Sequence, residues 1–202
     1  KDGDSLLDVG LTSGSDDLML VTAGGLAIRF PESDVRPMGR AAAGVKGIDV
    51  GTSDDETAGD EVIGFVRIRM DKDADGDPIT DTRDASLCLL TITENGYGKR
   101  TPVDEYRVQP ESGKARSQNR GGKGRADIRT SDRNGRSIAA LAVHESDDIV
   151  VITKGGLLVR MPVGSISQIG RGTQGVRVAR LAEGDAVVSA ARVEGEGEAA
   201  KA

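Results

Sequence analysis

Hydrophobic positions along this chain come in short β-branched or aliphatic runs separated by glycine-bearing turns. Three stretches share that pattern: "LMLVTAGGLAIRFPESDVRPMG" from Leu18, "LLTITENGYGKRTPVDEYRVQP" from Leu89 and "IVVITKGGLLVRMPVGSISQIG" from Ile149. Two runs joined by Gly-Gly or Asn-Gly predict a β-hairpin, because those residues accept the positive φ of a tight turn. Counted from Gly25, Gly96 and Gly156, an arginine follows four residues on (Arg29, Arg100, Arg160) and a proline six on (Pro31, Pro102, Pro162). Proline lacks the N–H a strand ladder needs, so each hairpin is predicted to end there.

Further strands are predicted between the hairpins. "GDSLLDVGL" from Gly3, "GDEVIGFVRI" from Gly59, "GRSIAALAV" from Gly135 and "GDAVVSAARV" from Gly184 each read as a strand entered through a polar turn. "GVKGIDV" from Gly44, "GKGRADI" from Gly122 and "GVRVARL" from Gly175 read as another. The repeating unit is thus about four strands, the content of one propeller blade. An all-β, propeller-like array of about three blades is expected: residues 1–58, residues 59–134, and residues 135–193 with a closing strand. Residues 194–202 are expected to be a disordered acidic tail. Unequal spacing of the hairpin glycines marks an acidic insertion, Met70 to Asp84, and several extra residues before Gly122. Insertions in repeat arrays fall on surface loops, where binding groups concentrate.

Composition narrows the picture. With no tryptophan, two Phe and two Tyr in 202 residues, the core must be built from Val, Ile, Leu and Ala. One cysteine, Cys88, precludes an internal disulfide framework and fits a reducing, cytoplasmic setting. No apolar run approaches the roughly 18 residues of a membrane span, so no membrane partner is expected. The chain starts at Lys1 rather than Met, and a fragment of a longer protein is expected.

The net charge of −6 conceals a segregation. Gly96 to Arg136 carries eleven Lys and Arg against five acids, a local +6 that leaves −12 for the remainder. Within it, "QNRGGKGR" (Gln118, Asn119, Arg120, Gly121, Gly122, Lys123, Gly124, Arg125) joins cations to glycines that let a backbone approach a ligand. Charge-assisted donors beside exposed N–H groups suit phosphate, and a run of phosphates suits them best. The loop offers no aromatic for stacking and no helix for a groove, so duplex DNA held by its backbone is the expected partner. Arg29, Arg100 and Arg160 share one strand parity and are expected around one rim, with Lys99 beside them. Arg36, Arg40, Arg171 and Arg177 add charge near the ends of the outer copies. A curved rim of cations would bend DNA, at a cost of about 1–6 kcal/mol for a 20–30 bp site that several phosphate contacts offset.

"QNRGGKG" resembles the gyrase box, Gln-Arg-Arg-Gly-Gly-Lys-Gly, of the C-terminal domain of DNA gyrase A. "NGYGKRT" followed by "EY", "GVKGI" and "GRGTQGV" are similar to that domain's blades. The resemblance implies a β-pinwheel of six blades that wraps DNA around its perimeter, of which this sequence resembles the last three. It also implies partnership with the rest of gyrase A and with gyrase B, two of each, and ATP and magnesium used elsewhere in that assembly. Asn119 stands where the family's box has arginine, and the box falls in a late blade rather than the first, which points to an auxiliary copy. The breakage tyrosine belongs to another domain of gyrase A, so Tyr97 and Tyr106 are assigned no catalysis. The related domain of topoisomerase IV, and a propeller-like scaffold docking an acidic partner, are the alternative readings.

Other chemistry is weaker. Asp71, Asp73, Asp75, Gly76 and Asp77 imitate the opening of a calcium loop, but Thr82 stands where the bidentate Glu belongs; a solvated acidic excursion is expected. With a single histidine, His144, and a single thiol, neither a zinc cluster nor a Cys–His nucleophile pair is expected. No Gly-x-x-x-x-Gly-Lys-Ser/Thr occurs, and no cofactor or catalytic residue is expected in this chain.

Overall fold

The computed structural model describes residues 5–51, 59–111 and 113–195. Among them, strands β1 (Asp17–Thr22) and β2 (Leu26–Pro31) form the first hairpin, followed by β3 (Val62–Ile68). A small hairpin of β4 (Met70–Lys72) and β5 (Pro78–Thr80) leads to the second large one, β6 (Cys88–Thr93) and β7 (Tyr97–Pro102). Then come β8 (Arg125–Ala126), β9 (Ser137–Val143) and the third hairpin, β10 (Asp148–Thr153) with β11 (Leu158–Pro162). Two strands close the series, β12 (Val176–Arg177) and β13 (Val187–Val193).

All the large ladders are antiparallel, and the architecture repeats as the glycine spacing predicts. The sheet orders are β3-β1-β2-β8, then β9-β6-β7-β12, then β13-β10-β11. In each, a hairpin lies at the centre and the next long strand pairs on one side. In the first two, a two-residue strand from the following unit pairs on the other side. The long strand shifts register at one equivalent place in every sheet: Val21/Thr22, Ile92/Thr93 and Ile152/Thr153. A bulge at a fixed position twists each sheet alike and keeps successive sheets stacked in one sense.

Glycine is required at the hairpin turns for two reasons. Gly25 and Gly96 have φ of 87° and 75°, where a side chain is strained. A Cβ on Gly25 would also lie 2.1 Å from the Ile128 carbonyl oxygen, and one on Gly96 2.6 Å from that of Ala179. The chain of the following unit crosses directly over each turn.

Packing follows from strand alternation. Met19, Val21, Val66 and Ile68 of the first sheet meet Leu89, Ala140, Val103 and Tyr106 of the second unit. The opposite face of β6, with Cys88, Leu90 and Ile92, meets Ile149, Val151, Val163 and Ile166 of the third. Every residue of β6 is buried, because a sheet covers each of its faces. Each aliphatic side chain so enclosed contributes about 1.5–3 kcal/mol. Cys88 is buried there as a small apolar group, and burial pushes its thiol pKa up.

Three expectations are corrected. The divisions at 58/59 and 134/135 do not separate sheets, since β3 and β8 belong to the sheet built on β1 and β2, and β9 to the sheet built on β6 and β7. The strand predicted from Gly3 is absent over residues 5–11, where Leu6 and Leu11 stand exposed. The segment from Gly44 forms no strand either. The first kind of strand pairs with the hairpin just before it and the second with the hairpin one unit further back; among the described residues neither segment has such a hairpin to pair with. Insertion 70–84 is the expected excursion: the β4–β5 hairpin and a 3-10 turn, Thr82–Asp84. Glu194 is exposed, whereas Glu196 and Glu198 of the tail lie outside the described residues.

Candidate nucleic-acid interface

Cations divide into those held by carboxylates and those left free, and the division corrects the expected rim. Arg29 is 0% exposed. Its guanidinium pairs with Asp17 at 2.7 Å and Asp104 at 2.8 Å, and donates to the Val103 carbonyl at 3.0 Å and to Thr80 Oγ1 at 2.9 Å. Arg100 is likewise buried, donating from Nε to the Ile166 carbonyl at 2.7 Å. Arg160, at the same position in the third hairpin, has a side chain 62% exposed and keeps only an ion pair with Asp148 at 2.7 Å. The parity shared by these residues is real, but it directs them between sheets, toward the 3-10 turn of the following unit. The third hairpin has no following unit in this chain, so Arg160 faces solvent. Arg29 and Arg100 are therefore structural, and the expectation that they meet DNA fails.

Lys99 fails for a related reason. It is fully buried, with Nζ 3.1 Å from Asp127, 2.8 Å from Thr101 Oγ1 and 3.2 Å from the Gly170 carbonyl. Asp127 also accepts from Thr91 Oγ1 at 2.6 Å and from Tyr106 Oη at 2.5 Å. Burial lowers the Lys99 pKa against the pull of Asp127, and burial raises that of Tyr106, with the Asp127 charge adding to it. This hub joins two units and was not visible in the sequence, because its members lie far apart along the chain.

Residues 118–125 lie at the surface, where the loop docks on the loop of the preceding unit. Gly121 N–H donates to the Gly47 carbonyl at 2.7 Å, and Asp49 N–H donates to the Gly122 carbonyl at 2.9 Å. Arg120 donates to the carbonyls of Asp34 and Lys46, while Gln118 N–H donates to the Arg29 carbonyl at 2.7 Å. Asn119, Gly122 and Lys123 are exposed. A Cβ at Gly122 would come no closer than 3.7 Å to another atom. Gly124 has a different duty, since a Cβ there would lie 2.6 Å from the Ala27 carbonyl oxygen.

The same stitching recurs one unit later. Gly172 N–H donates to the Asp127 carbonyl at 2.6 Å, Arg129 N–H to the Thr173 carbonyl at 2.8 Å, and Arg171 Nη1 to the Ala126 carbonyl at 3.4 Å. These bonds set the structural register of the loops. Arg40, Arg120 and Arg171 each stand four residues before a positive-φ glycine, Gly44, Gly124 and Gly175. Aligning Gly44 with Gly122 instead of Gly124 hides this match by two residues. The repeated surface arginine is this one.

Among the described residues, Arg36, Arg40, Arg120, Lys123, Arg125, Arg171 and Arg177 form no side-chain ion pair with a carboxylate. Arg116, Arg129, Arg133 and Arg180 share that condition and are exposed; local charge counting held all but Arg180 yet did not single them out. Arg107, Arg125 and Arg171 converge with Gln118 on a cleft of about 440 Å³ between the two loops. Burial lowers the pKa of both Arg107 and Arg125. Lys114, by contrast, is neutralised: Asp73, Asp75 and Asp77 lie 2.8, 3.0 and 2.8 Å from its Nζ. The cation position of the calcium-like run is thus taken by an ammonium group of the chain itself. No described helix is long and apolar enough to cross a membrane.

The family described as DNA gyrase C-terminal domain, beta-propeller, matches residues 16–69, 89–115, 111–144 and 147–194. The DNA gyrase A protein of Staphylococcus epidermidis is 39% identical over 193 residues, 96% of this chain and 18% of that protein. Its counterpart in Staphylococcus aureus is 38% identical over 200 residues, 98% of this chain and 19% of that protein. The chain thus spans about a fifth of the length of these relatives. A solved DNA gyrase A C-terminal domain superposes with a TM-score of 0.67 at 23% identity, covering 88% of this chain and 50% of that one. A topoisomerase IV C-terminal domain superposes with a TM-score of 0.72 at 27% identity, covering 94% and 50%.

Proposed function

Because the chain belongs to the family of DNA gyrase C-terminal β-propeller domains, we propose that it binds duplex DNA along its ladder of loops and wraps it. The observation that carries this reading is the register of Arg40, Arg120 and Arg171, repeated on successive stitched loops, with side chains that form no ion pair with a carboxylate among the described residues. Lys123, Arg125, Arg36 and Arg177 add charge to the same loops and to the strands that follow them. Backbone contact of this kind neutralises phosphates without reading bases. The cations sit on a rigid stack, so a duplex following them must curve, and its phosphate contacts offset the bending cost.

In the whole protein, the region would act as the DNA-wrapping part of gyrase A, working in the cytoplasm beside gyrase B in an assembly with two copies of each. It would supply no catalytic group of its own to that type IIA topoisomerase, and ATP and magnesium would be used elsewhere in it. The likeness to a topoisomerase IV domain supports a second reading, as the corresponding region of that enzyme. ATP-dependent negative supercoiling by the assembled enzyme separates the two.

The test is topological. A plasmid relaxed in the presence of the protein should show a shifted linking number after deproteinisation, and duplex affinity should fall steeply between 50 and 200 mM salt. Tight binding with an unchanged linking number overturns wrapping. Binding indifferent to salt overturns phosphate contact and favours a protein-docking scaffold.

A further inference from the structure

The middle unit carries a feature that its sister units lack. Tyr97, first residue of β7, lies opposite Arg177 of β12 in the sheet register. The equivalent pair one sheet earlier is Leu26 and Ala126, and the residue equivalent to Tyr97 after the third hairpin turn is Leu157. The guanidinium carbon of Arg177 lies 5.3 Å from the Tyr97 ring centroid, and that of Arg133 lies 5.0 Å from it. Arg177 Nη2 also donates to Tyr97 Oη at 2.9 Å. Acting on that hydroxyl, Arg133 and Arg177 hold the phenol below its ordinary pKa.

The loop stitched along this edge completes the arrangement. Gln174 stands at the position that Lys123 occupies in the preceding loop, one residue before the positive-φ glycine. Its Oε1 accepts from Arg133 Nη1 at 3.3 Å. Arg133 therefore supplies, from another segment, the charge that this loop's own sequence omits. Both arginines are exposed, and neither pairs with a carboxylate among the described residues. Asp132, beside Arg133, engages Asn95 through its carbonyl. Two guanidiniums fixed against one ring keep N–H donors facing solvent at little further entropic cost, because packing already limits their rotamers.

We propose that Arg133 and Arg177, positioned by Tyr97 and Gln174, form a clamp for a backbone phosphate of duplex DNA one unit along from the Gln118–Arg125 loop. This rests on the DNA-binding reading and names contacts within it.

The intact protein and its variants are assayed for duplex binding across a salt series. Removing both charges (R133A with R177A) should lower the salt slope by about 0.9 per lost phosphate contact. The double lysine variant, R133K with R177K, should keep the slope but lose affinity several-fold, since lysine keeps charge without the stacked fork. Y97L, which installs the residue of the sister units, should act like the lysine pair. Unfolding midpoints close to that of wild type establish that the variants are folded. An unaltered slope in the double alanine variant, alongside a lowered one in R120A with K123A, overturns the clamp and leaves DNA binding standing. Unaltered slopes in both overturn the DNA reading itself. Wild-type affinity in the lysine pair also overturns the clamp, leaving only diffuse charge.

Discussion

Arg29 and Arg160 sit at one position of two hairpins, each paired with an aspartate twelve residues earlier at 2.7 Å. One is completely enclosed and the other lies largely in water. The difference comes from the neighbour. Arg29 reaches forward to Val103 and Asp104 in the turn of the next unit, as Arg100 reaches Ile166, whereas among the described residues no further hairpin unit follows the third. The repeated arginine is thus a staple between units, and its burial reports whether a following unit is present. A charge recurring at a fixed offset in a repeat protein need not mark the ligand surface, because contact between repeats recurs with the same period.

That comparison is open to a direct test of stability. Arg29→Ala leaves Asp17 without its cation in a buried site and removes the bonds donated to Val103 and Thr80, so it should cost about 3–5 kcal/mol. Arg160→Ala breaks an exposed pair and should cost about 0–1 kcal/mol. Urea unfolding of the two variants measures both numbers. Equal losses would mean that the staple contributes nothing beyond its local aspartate.

Two glycines of the basic loop offer a second contrast. Gly124 has a φ of 76°, and a Cβ on it would meet the β2 backbone. Gly122 has ordinary φ, and a Cβ on it would come no closer than 3.7 Å to another atom. Gly124→Ala should therefore destabilise by more than about 1 kcal/mol, while Gly122→Ala should leave stability unchanged within about 0.5 kcal/mol. If Gly122→Ala nonetheless weakens duplex binding, close backbone approach by the ligand is the cause.

Much of the fold was legible because glycine and proline punctuate it: all three hairpins and the later connecting strands fall where their turns predict. What was not legible is which side of a strand faces outward. Arg29, Lys99 and Arg100 look like surface charges in sequence, and only the stacking of units shows that Asp17, Asp127 and backbone carbonyls enclose them. Exchange of short strands between units was equally hidden, since β8 and β12 are two residues long and pair far back in the chain. The Gln118–Arg125 loop was readable from local composition. The clamp at Tyr97 was not, because Arg133, Gln174 and Arg177 meet that ring only through the fold.

Lys114 and Lys123 sharpen the distinction between counted and available charge. Both belong to the segment whose excess of cations first suggested DNA, yet three aspartates surround the ammonium group of one, and among the described residues no ion pair holds the other. Lys114→Ala should leave the salt slope of duplex binding unaltered, while Lys123→Ala should lower it by about 0.9. Lys114 also holds the Asp73 carboxyl below its ordinary pKa. A carboxylate with a depressed folded-state pKa contributes stability above its unfolded value, near about 4, and that contribution is lost as pH falls through the lowered folded value. In Lys114→Ala the Asp73 pKa should rise toward the ordinary carboxylate range in an NMR titration, and the acid limb of the stability profile should flatten. An unmoved Asp73 would mean that backbone donors alone hold the β4–β5 turn, and Lys114 would then be free to meet phosphate after all.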